Sequence, residues 1–304
     1  MKILQTITTP DTHDSPAILT IGNFDGVHRG HQQILSKLVN TANQRHAHSV
    51  VLTFSNHPAT VLRPSQPACT LCTHEHKLRL LEQASIDFVY ALIFTLEFAQ
   101  QTPEEFLQKL RSKIPFDQLI LGNDATIGNQ RAGNQEVVRG LARTMGFEVA
   151  YIDDYVAEGQ RISSSLIRGH INQGELKAAS ALLGRPYSIY APVIKGAGLG
   201  ASLGAHTANI DVKGLCLPPL GVYVVTLLYN GESYRGVANL GKAPTIRQND
   251  FPVLEVHLLD ANLELYGEFV EVVLHEYLRP EKRFDNVSEL KEQIALDIAA
   301  AKLH

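Results

Sequence analysis

The sequence predicts an α/β domain with a parallel sheet, followed by a small antiparallel β-barrel domain that ends in a helix. Three observations lead to this prediction. The first half alternates short apolar runs with amphipathic stretches, which is typical of parallel strands joined by helices. The second half consists of β-rich runs separated by turn residues, and the last segment carries apolar residues at helical spacing.

The first half contains five apolar runs that we interpret as strands buried on both faces. Between them, the stretch from about Gly30 to Gln44 brings four aliphatic side chains onto one helical face. A second helical stretch follows Pro103, a residue suited to a first helical turn. The predicted strands of this half are Ile18–Ile21, Val50–Phe54, Phe88–Phe94, Gln118–Leu121 and Glu148–Ile152.

A change in the sequence pattern, from helical to β-rich, indicates the domain boundary. Helical stretches after Ser163 and from Gly174 to Leu183 end in Gly184-Arg185-Pro186, which is a helix stop. We therefore expect one domain over residues 1–184 and a second over residues 185–304.

Beyond the boundary the pattern predicts a small antiparallel barrel or a sandwich. Asn230-Gly231 indicates a tight hairpin, since both residues tolerate positive φ. Asn286 lies three residues before Glu289, which is the spacing of a capping box at the start of a final helix. The predicted strands are Tyr187–Ile194, Gly221–Tyr229, Ser233–Asn239, Val253–Leu259 and Phe269–Leu274.

Composition and charge narrow the possible functions. The 304 residues carry a formal net charge of −4, and acids and bases are mixed along the whole chain. Because no basic stripe or tail could neutralise a row of phosphates, we expect no nucleic-acid partner. No leader-like segment and no apolar run of roughly 20 residues is present, so we expect no membrane association and a cytoplasmic location. Three cysteines are too few for a disulfide framework and fit a reducing compartment.

One local cluster could in principle bind a metal ion. Cys69, Cys72, His74 and His76 form C-x-x-C-x-H-x-H, and all four are potential zinc ligands. Two histidines separated by one residue rarely converge on one tetrahedral ion, and the apolar-periodic stretch after Thr73 predicts a helix starting there. A loop that runs into a helix is therefore the favoured interpretation.

The most informative string is IGNFDGVHRGHQ, Ile21 to Gln32, where the first buried strand gives way to a helix. Such a turn lies at the ligand-binding edge of an open α/β sheet. Its glycines permit close backbone approach, and His28 and His31 come at the start of the helix, where free N–H groups favour anions. Imidazoles there can donate hydrogen bonds to phosphate oxygens during phosphoryl or nucleotidyl transfer. Either histidine alone could merely cap or pack, but the pair at this turn favours nucleotide chemistry.

This string resembles the signature of the Rossmann-like nucleotidyltransferases that carry H-x-G-H. More narrowly, it resembles the bifunctional riboflavin kinase/FAD synthetases of the prokaryotic type, in which G-x-F-D-G-x-H-x-G-H is a specific mark. The resemblance covers nearly the whole chain. It implies an FMN adenylyltransferase domain followed by a riboflavin kinase domain, with His28 and His31 as catalytic residues and the remaining signature residues at the nucleotide, namely Gly22, Asn23, Phe24, Asp25 and Gly26.

Other strings of the first domain are similar to the same family. LTFSNHP matches its second-strand motif at His57, and LGNDATIG matches its fourth-strand motif, which places Asp124 beside the nucleotide. The family usually has aromatic residues where Ala125 and Ile127 stand, so the flavin or adenine pocket differs here. RISSSLIR resembles the family's R-x-S-S-[ST]-x-I-R signature, although serine capping with surface arginines would explain it as well. Its phosphate-binding residues are then Arg161, Ser163, Ser164, Ser165 and Arg168.

In the second domain, KGAGLGASLGAHTANI resembles the phosphate loop of the riboflavin kinases. The resemblance implies that Thr207 and Asn209 hold Mg²⁺ and the ATP phosphates, and oxygen ligands are what this hard ion requires. The glycines retained from the loop motif are Gly196, Gly200 and Gly204. Besides Lys195, which replaces a histidine, three positions depart from the family pattern, since Ala201 replaces an arginine and Ala205-His206 replaces Phe-Pro. These changes remove a potential phosphate contact and a fixed φ. Because Thr207, Asn209 and Glu255 remain, we still expect a working kinase.

LEVHLLD places Glu255 on the family's catalytic carboxylate. A carboxylate there can accept the proton of the ribityl hydroxyl as its oxygen attacks the γ-phosphoryl group. Strand alternation alone would make Glu255 an ordinary exposed residue. LRPEKRF matches the element before the final helix, which makes Arg279 a nucleotide-side contact.

The chain is thus expected to phosphorylate riboflavin to FMN and to adenylylate FMN to FAD with release of pyrophosphate, using ATP and Mg²⁺. Two alternatives remain open: an FMN adenylyltransferase whose kinase half is degenerate, and a flavin-binding protein without catalysis. An adenylyltransferase for another acceptor rests on H-x-G-H alone, and the kinase-like strings argue against it. The sequence does not predict an oligomeric state.

Overall fold

The computed structural model of the chain describes residues 1–7, 16–157, 159–196, 207–242, 252–259, 261 and 263–302. The chain forms two compact units. The first comprises Met1–Ala68 and Lys77–Ser163, and the second comprises Cys69–His76 and Ser164–His304.

The first unit is built on a six-stranded parallel sheet with the strand order β1-β4-β3-β2-β5-β6. The five longer strands lie where the apolar runs predict them, whereas no apolar run predicted the three-residue edge strand β1. The strands are β1 (Lys2–Leu4), β2 (Ala17–Ile21), β3 (His48–Phe54), β4 (Phe88–Leu92), β5 (Phe116–Gly122) and β6 (Glu148–Ile152).

Both faces of this sheet are buried, which explains why its strands are continuous apolar runs rather than alternating ones. Leu19 and Leu52 belong to the hydrophobic core on one face. Ile18, Val51 and Ile120 belong to the core on the other face. Because successive side chains of a strand point to opposite faces, each central strand contributes to both cores.

The helices of the first unit cover the two faces. The helix α1 buries Leu35 and Leu38 in the core that contains Ile18. The helix α5 begins at Pro103, is capped by Thr102 and packs into the opposite core. The helices are α1 (Arg29–Gln44), α2 (Pro58–Leu62), α3 (His74–Gln83), α4 (Leu96–Gln100), α5 (Pro103–Lys113) and α6 (Gln135–Met145).

The strand order places a crevice at a defined point of the sheet. The chain runs outward from β2 through β3 to β4, then returns to the other side of β2 to form β5 and β6. At such a reversal the loops after two neighbouring strands leave in opposite directions, and ligands bind outside the carboxyl ends of those strands. The residues after Ile21 and after Gly122 lie at this point.

The second unit is a closed barrel of six antiparallel strands in the order β10-β13-β12-β11-β14-β9. The barrel decides between the two architectures that the sequence left open, and it confirms the predicted fold class. Asn230 and Gly231 join β11 to β12 with φ of 50° and 84°, as the hairpin prediction requires. The strands are β9 (Ser188–Ile194), β10 (Thr207–Ile210), β11 (Gly221–Tyr229), β12 (Glu232–Lys242), β13 (Pro252–Leu258) and β14 (Phe269–Arg279).

Among the described residues of this unit, three helices accompany the barrel: α7 (Ser164–Asn172), α8 (Leu176–Leu183) and α9 (Val287–Lys302). Glu289 donates its backbone N–H to the Asn286 side chain at 3.0 Å, which confirms the predicted start of the final helix. In the first unit, a short antiparallel pair formed by β7 (Val156–Ala157) and β8 (Gln160–Arg161) precedes α7. No helix among the described residues is both long and apolar enough to span a membrane.

The segment from Cys69 to His76 packs with the barrel. Thr70 pairs with Leu215, and the Thr73 hydroxyl donates to the Tyr190 carbonyl at 2.7 Å. The same hydroxyl accepts the backbone N–H of His76 at 3.1 Å, so α3 starts directly after Thr73 as predicted. The described residues, which include all four potential zinc ligands, contain no group of three or more side chains that could hold a metal ion.

Candidate active sites

The turn between β2 and α1 has a backbone that few sequences could adopt. Phe24 and Val27 have φ of 49° and 39°, and Gly26 has φ of 74°. A β-branched residue in this left-handed region is strained, and such strain persists only where the surroundings hold it. Phe24 and Val27 are 2% and 3% exposed and pack into the core beside α1. Burial of these two side chains therefore stabilises the conformation of the turn.

His28 caps the start of α1. Its Nδ1 accepts the backbone N–H of His31 at 3.3 Å. In the neutral ring the proton is therefore on Nε2, which makes Nε2 a hydrogen-bond donor. The His28 and His31 rings are stacked with centroids 3.6 Å apart and planes 16° apart. The structure thus brings together the two predicted catalytic histidines at the positive end of a 16-residue helix.

His31 is held in its neutral form. Burial, the neighbouring His28 and the ammonium of Lys77 lower the pKa of His31 well below its ordinary value. Its Nδ1 is inaccessible to solvent and has no hydrogen-bond partner among the described residues. A neutral imidazole here can donate one hydrogen bond to a phosphate oxygen without the cost of burying a charge.

Lys77 is a residue of this site that sequence reasoning missed. Its side chain is 6% exposed, and its ammonium donates to the backbone carbonyls of Asn23 and Phe54 at 3.1 and 2.6 Å. The available signal was a lysine in the apolar stripe of α3, at helical spacing from Leu80 and Leu81. A charged residue on a buried helical face requires a partner.

Asp124 and Arg161 come together across the crevice of the first unit. Asp124 follows the end of β5, and its carboxylate lies 2.5 Å from Nη2 of Arg161 on β8. Asp154 also contacts the guanidinium, at 3.2 Å. Both members of the Asp124–Arg161 pair are substantially exposed, with 62% and 45% of their side chains accessible. Solvent screening keeps such a pair weak, so a ligand can exchange with one of the carboxylates.

Beside this crevice, hydrogen bonds connect the residues that follow β3 to those that follow β4. Asn56 donates its amide N–H to the Phe94 carbonyl at 2.9 Å, and its Oδ1 accepts the Phe94 N–H at 2.7 Å. His57 caps α2 through Nδ1, which leaves its proton on Nε2. Phe54, Phe94 and Phe98 form edge-to-face and tilted contacts at the same edge of the sheet.

The two residues that depart from the family's aromatic pattern lie in the core of the first unit. Ile127 is 6% exposed, and Ala125 packs against the same core cluster. The nearby aromatic side chains are Phe54 at the end of β3, Phe94 after β4 and Phe98 in α4.

The serine and arginine string is divided between the units. Arg161 and Ser163 lie at the end of the first unit, and α7 of the second unit carries Ser164, Ser165 and Arg168. Ser164 and Ser165 lie in the first turn of α7, and Arg168 lies in its second turn. The first turn of a helix is where hydroxyls and free N–H groups can bind an anion.

In the barrel, three adjacent strands carry a row of polar residues on the outer face. Asn209 of β10 pairs with Glu255 of β13, which pairs with Asn239 of β12. Paired residues of antiparallel strands point to the same face, and Thr207 shares that face because it lies two residues before Asn209. The structure therefore brings together the predicted Thr207, Asn209 and Glu255.

The remaining residues of the predicted phosphate loop are described in part. Gly196 lies beside Asn209, because a Cβ atom at Gly196 would fall 2.1 Å from the Asn209 Nδ2. The Asn209 side chain would have to move to admit a larger residue here. Gly200 and Gly204 lie outside the described residues, as do the three substituted positions Ala201, Ala205 and His206.

Glu255 has the electrostatics of a general base. Partial burial and the negative charge of Glu281 raise the pKa of Glu255 above its ordinary value. The Glu281 carboxylate reaches over Gly241, where an added Cβ would fall 1.9 Å from its Oε1. A carboxylate with a raised pKa accepts a proton more readily than an exposed one.

Arg279 is held by the final helix. Its Nε and Nη2 donate to the two oxygens of Asp297 at 2.9 and 2.7 Å, and Nη1 donates to the Pro280 carbonyl at 3.0 Å. Gln293 adds a third hydrogen bond to Asp297 at 3.1 Å. Arg279 thus joins the end of β14 to α9, and its predicted contact with the nucleotide stays a prediction.

The first unit has the fold and the stacked histidine pair of an α/β nucleotidyltransferase, and the barrel carries a second polar site. Comparison with known proteins identifies the family. The FAD synthetase family model matches residues 11–166, and the riboflavin kinase family model matches residues 183–304.

Relatives of known name have the same organisation. The bifunctional riboflavin kinase/FMN adenylyltransferase of Haemophilus influenzae is 37% identical over 286 residues, which cover 93% of this chain and 92% of the relative. The Escherichia coli protein of the same name is 36% identical over 290 residues, with 94% and 91% covered. A crystal structure named macrolide-efflux protein from Streptococcus pneumoniae has a TM-score of 0.84 at 27% identity, and 99% of each chain is covered.

The chain belongs to the family of bifunctional riboflavin kinase/FMN adenylyltransferases. It is an enzyme of FAD biosynthesis with ATP and flavins as substrates. The two family matches confirm the recognition made from the signature strings.

Proposed function

We propose that FMN is adenylylated at the turn that carries His28 and His31. An FMN phosphate oxygen attacks the α-phosphorus of ATP, a P–O bond forms to give FAD, and the bond to the β-phosphate breaks to release pyrophosphate. The observation that supports this placement is the stacked imidazole pair at the start of α1, at the crevice of the sheet, in which His31 is neutral. The two rings donate hydrogen bonds to oxygens whose negative charge grows during the displacement.

The other residues of this site bind rather than react. In our proposal the turn residues, Gly22 to Gly26, receive the triphosphate through their backbone, and His57 contributes the donor at its Nε2. Arg161 gives up an ion pair with a carboxylate and binds a phosphate in its place. Asp124 faces the nucleotide. Ser163, Ser164, Ser165 and Arg168 complete the phosphate contacts.

The test is a product assay with FMN, ATP and Mg²⁺. We expect FAD and pyrophosphate in equal amounts, and a loss of about 100-fold or more in the His31→Ala variant, since removing one preorganised donor costs this much. His46→Ala is the matched control, because His46 is exposed and lies beyond the last turn of α1. Absence of both products from the native enzyme would refute the proposal.

We propose that riboflavin is phosphorylated on the barrel, with Glu255 as the general base. Glu255 accepts the proton of the ribityl 5′-hydroxyl while that oxygen attacks the γ-phosphorus of ATP, and ADP leaves. The raised pKa of Glu255 and its place beside Asn209 support this assignment. Gly196, Gly200 and Gly204 approach the ATP phosphates, and Arg279 lies on the nucleotide side.

The oxygens of Thr207 and Asn209 fit Mg²⁺. Thr207 and Asn209 share one face of β10, and Asn209 pairs with Glu255 of β13. Glycine at position 196 leaves room around the Asn209 amide. When bound, Mg²⁺ neutralises charge on the phosphates of ATP. We expect Thr207→Ala to raise the Mg²⁺ concentration needed for half-maximal FMN formation, and an unchanged requirement would contradict this ligand set.

The leading alternative is an adenylyltransferase whose kinase half binds flavin without turnover, and the substitutions at Ala201, Ala205 and His206 motivate it. An assay with riboflavin and ATP distinguishes this alternative from the proposed bifunctional enzyme, since formation of FMN requires a working kinase. In the Glu255→Gln variant FMN formation should fall strongly while FAD formation from FMN stays at the native rate. A non-catalytic flavin-binding protein would quench flavin fluorescence and make neither product.

We further propose that the functional domains are residues 1–184 and 185–304. The riboflavin kinase family match, which begins at residue 183, supports a boundary close to residue 184, and the FAD synthetase family match ends before it, at residue 166. Separate expression of the two pieces should yield adenylyltransferase activity in one and kinase activity in the other. We also propose a cytoplasmic location, supported by three cysteines that carry thiols rather than disulfides, which cell fractionation tests.

A further inference from the structure

Lys77 places a buried ammonium near the turn that carries the histidine pair. Lys77 is 6% exposed on α3, a helix that is otherwise anchored by leucines. An ammonium in such a place costs desolvation, which its hydrogen bonds must offset. A lysine that served only to cover apolar surface would keep its charged end in water.

The hydrogen bonds of Lys77 hold the turn after β2 against the end of β3. The Asn23 carbonyl accepts from the Lys77 ammonium at 3.1 Å and from the Thr53 hydroxyl at 3.1 Å. The Phe54 carbonyl accepts from the same ammonium at 2.6 Å. Asn23 directly precedes Phe24, whose φ of 49° begins the strained part of the turn. Lys77 therefore fixes the peptide unit from which the histidine turn departs.

The charge of Lys77 also reaches His31. Repulsion between the ammonium and a protonated imidazole contributes to the lowered pKa of His31, together with burial and His28. The other charged group of the turn is Asp25, whose side chain is buried, whereas Arg29 is exposed on α1. A fixed positive charge beside the start of a helix adds to the potential that favours phosphate.

We propose that Lys77 is a positioning residue of the adenylyltransferase site, whose buried ammonium holds the Asn23 turn and places a fixed positive charge beside His31. This inference rests on the proposed role of His28 and His31. Substrate contact is assigned to the histidines, and Lys77 acts through them.

The experiment compares Lys77→Met and Lys77→Arg with the native enzyme over a range of pH, with FAD formation from FMN as the readout. We expect kcat to fall about 10- to 100-fold in Lys77→Met, because a small misplacement of catalytic groups costs this much. The acid limb of the profile should move to higher pH, since loss of the repulsion lets His31 protonate more easily. Lys77→Arg keeps the charge and should keep the acid limb at its native place.

Lys37→Met is the matched control, since it removes an exposed cation from α1 and should leave both kcat and the profile unchanged. Hydrogen exchange of backbone amides in the sheet of the first unit reports in each variant whether that unit is folded. A native kcat in Lys77→Met would overturn the inference. A reduced kcat with an unmoved acid limb would also overturn it, because loss of packing alone predicts that result.

If Lys77→Met does not fold, Lys77→Gln replaces it, since the amide keeps a donor for a carbonyl and lacks the charge. In whichever variant folds, NMR titration of His31 is compared with that in the native enzyme. A higher His31 pKa in the variant supports the inference, and an unchanged pKa overturns it. The native enzyme is assayed first, so that failure to make FAD would count against the proposed function and not against Lys77.

Discussion

Replacement of Asp297 by alanine should destabilise the barrel unit, because Asp297 belongs to a largely buried ion pair between α9 and β14. Asp297 is 8% exposed in its side chain and accepts two charge-assisted hydrogen bonds from Arg279, which is 20% exposed, and one from Gln293. Removing the carboxylate leaves a largely buried guanidinium without its counter-charge. Breaking a buried pair in this way costs about 3–5 kcal/mol, and because Arg279 keeps some access to water we expect about 3 kcal/mol.

The assay is hydrogen exchange of backbone amides in β11 and β14, which gives the opening free energy of the barrel directly. Glu292→Ala removes an exposed carboxylate from the same helix and should change this free energy by less than about 0.5 kcal/mol. An effect of Asp297→Ala below about 1 kcal/mol, or one equal to that of Glu292→Ala, would refute the reasoning that the ion pair joins β14 to α9.

Three further predictions concern the two sites and their support. In Glu281→Gln, removal of a negative charge lowers the pKa of Glu255, so the acid limb of FMN formation should move to lower pH; a limb that stays in place would show that Glu281 does not act on the base. In Gly128→Ala, the new Cβ would lie 2.5 Å from the backbone nitrogen of Pro103 at φ of 78°, and thermal unfolding should show a loss of about 1–3 kcal/mol in the first unit. In Asn56→Ala, two hydrogen bonds to the end of β4 are lost, and the amide of that strand end should exchange faster, with a cost of about 1–3 kcal/mol.

Matched controls exist for these variants. Gly140→Ala lies in α6 with nothing near its added Cβ and should be neutral or slightly stabilising. Glu276→Gln removes a carboxylate from an exposed position of β14 and should leave the pH profile of FMN formation unchanged. If Gly140→Ala destabilised the first unit as much as Gly128→Ala, the steric argument for Gly128 would be wrong.

Most of the sheet was predictable because the strands are long enough and apolar enough to carry their own signal. The five predicted strands of the first unit all exist, with ends displaced by up to two residues. β1 was missed because three residues are too few for periodicity to show. β10 was missed because TANI reads as part of a glycine-rich loop. α6 was missed although its apolar residues have helical spacing and Asn134 caps it.

The adenylyltransferase site could be predicted where its residues are neighbours in the chain. His28 and His31 are three residues apart at a strand-to-helix turn, so local sequence sufficed to bring them together. Lys77 lies far along the chain from both, and only the packing of α3 brings its ammonium to the turn. The same holds for Arg161 and Asp124, whose contact depends on how β8 returns to the sheet.

By itself, the sequence determined the order and type of the main elements, the family and the local arrangement of the histidine turn, because these depend on periodicity and on residues close in the chain. The tertiary structure decided that the second half closes into a barrel, that Asp297 engages Arg279, and that a buried lysine lies beside His31. Those outcomes depend on which side chains, distant in the sequence, are buried next to one another in the folded chain. Desolvation is a property of the packed chain, so it cannot be read from a local pattern.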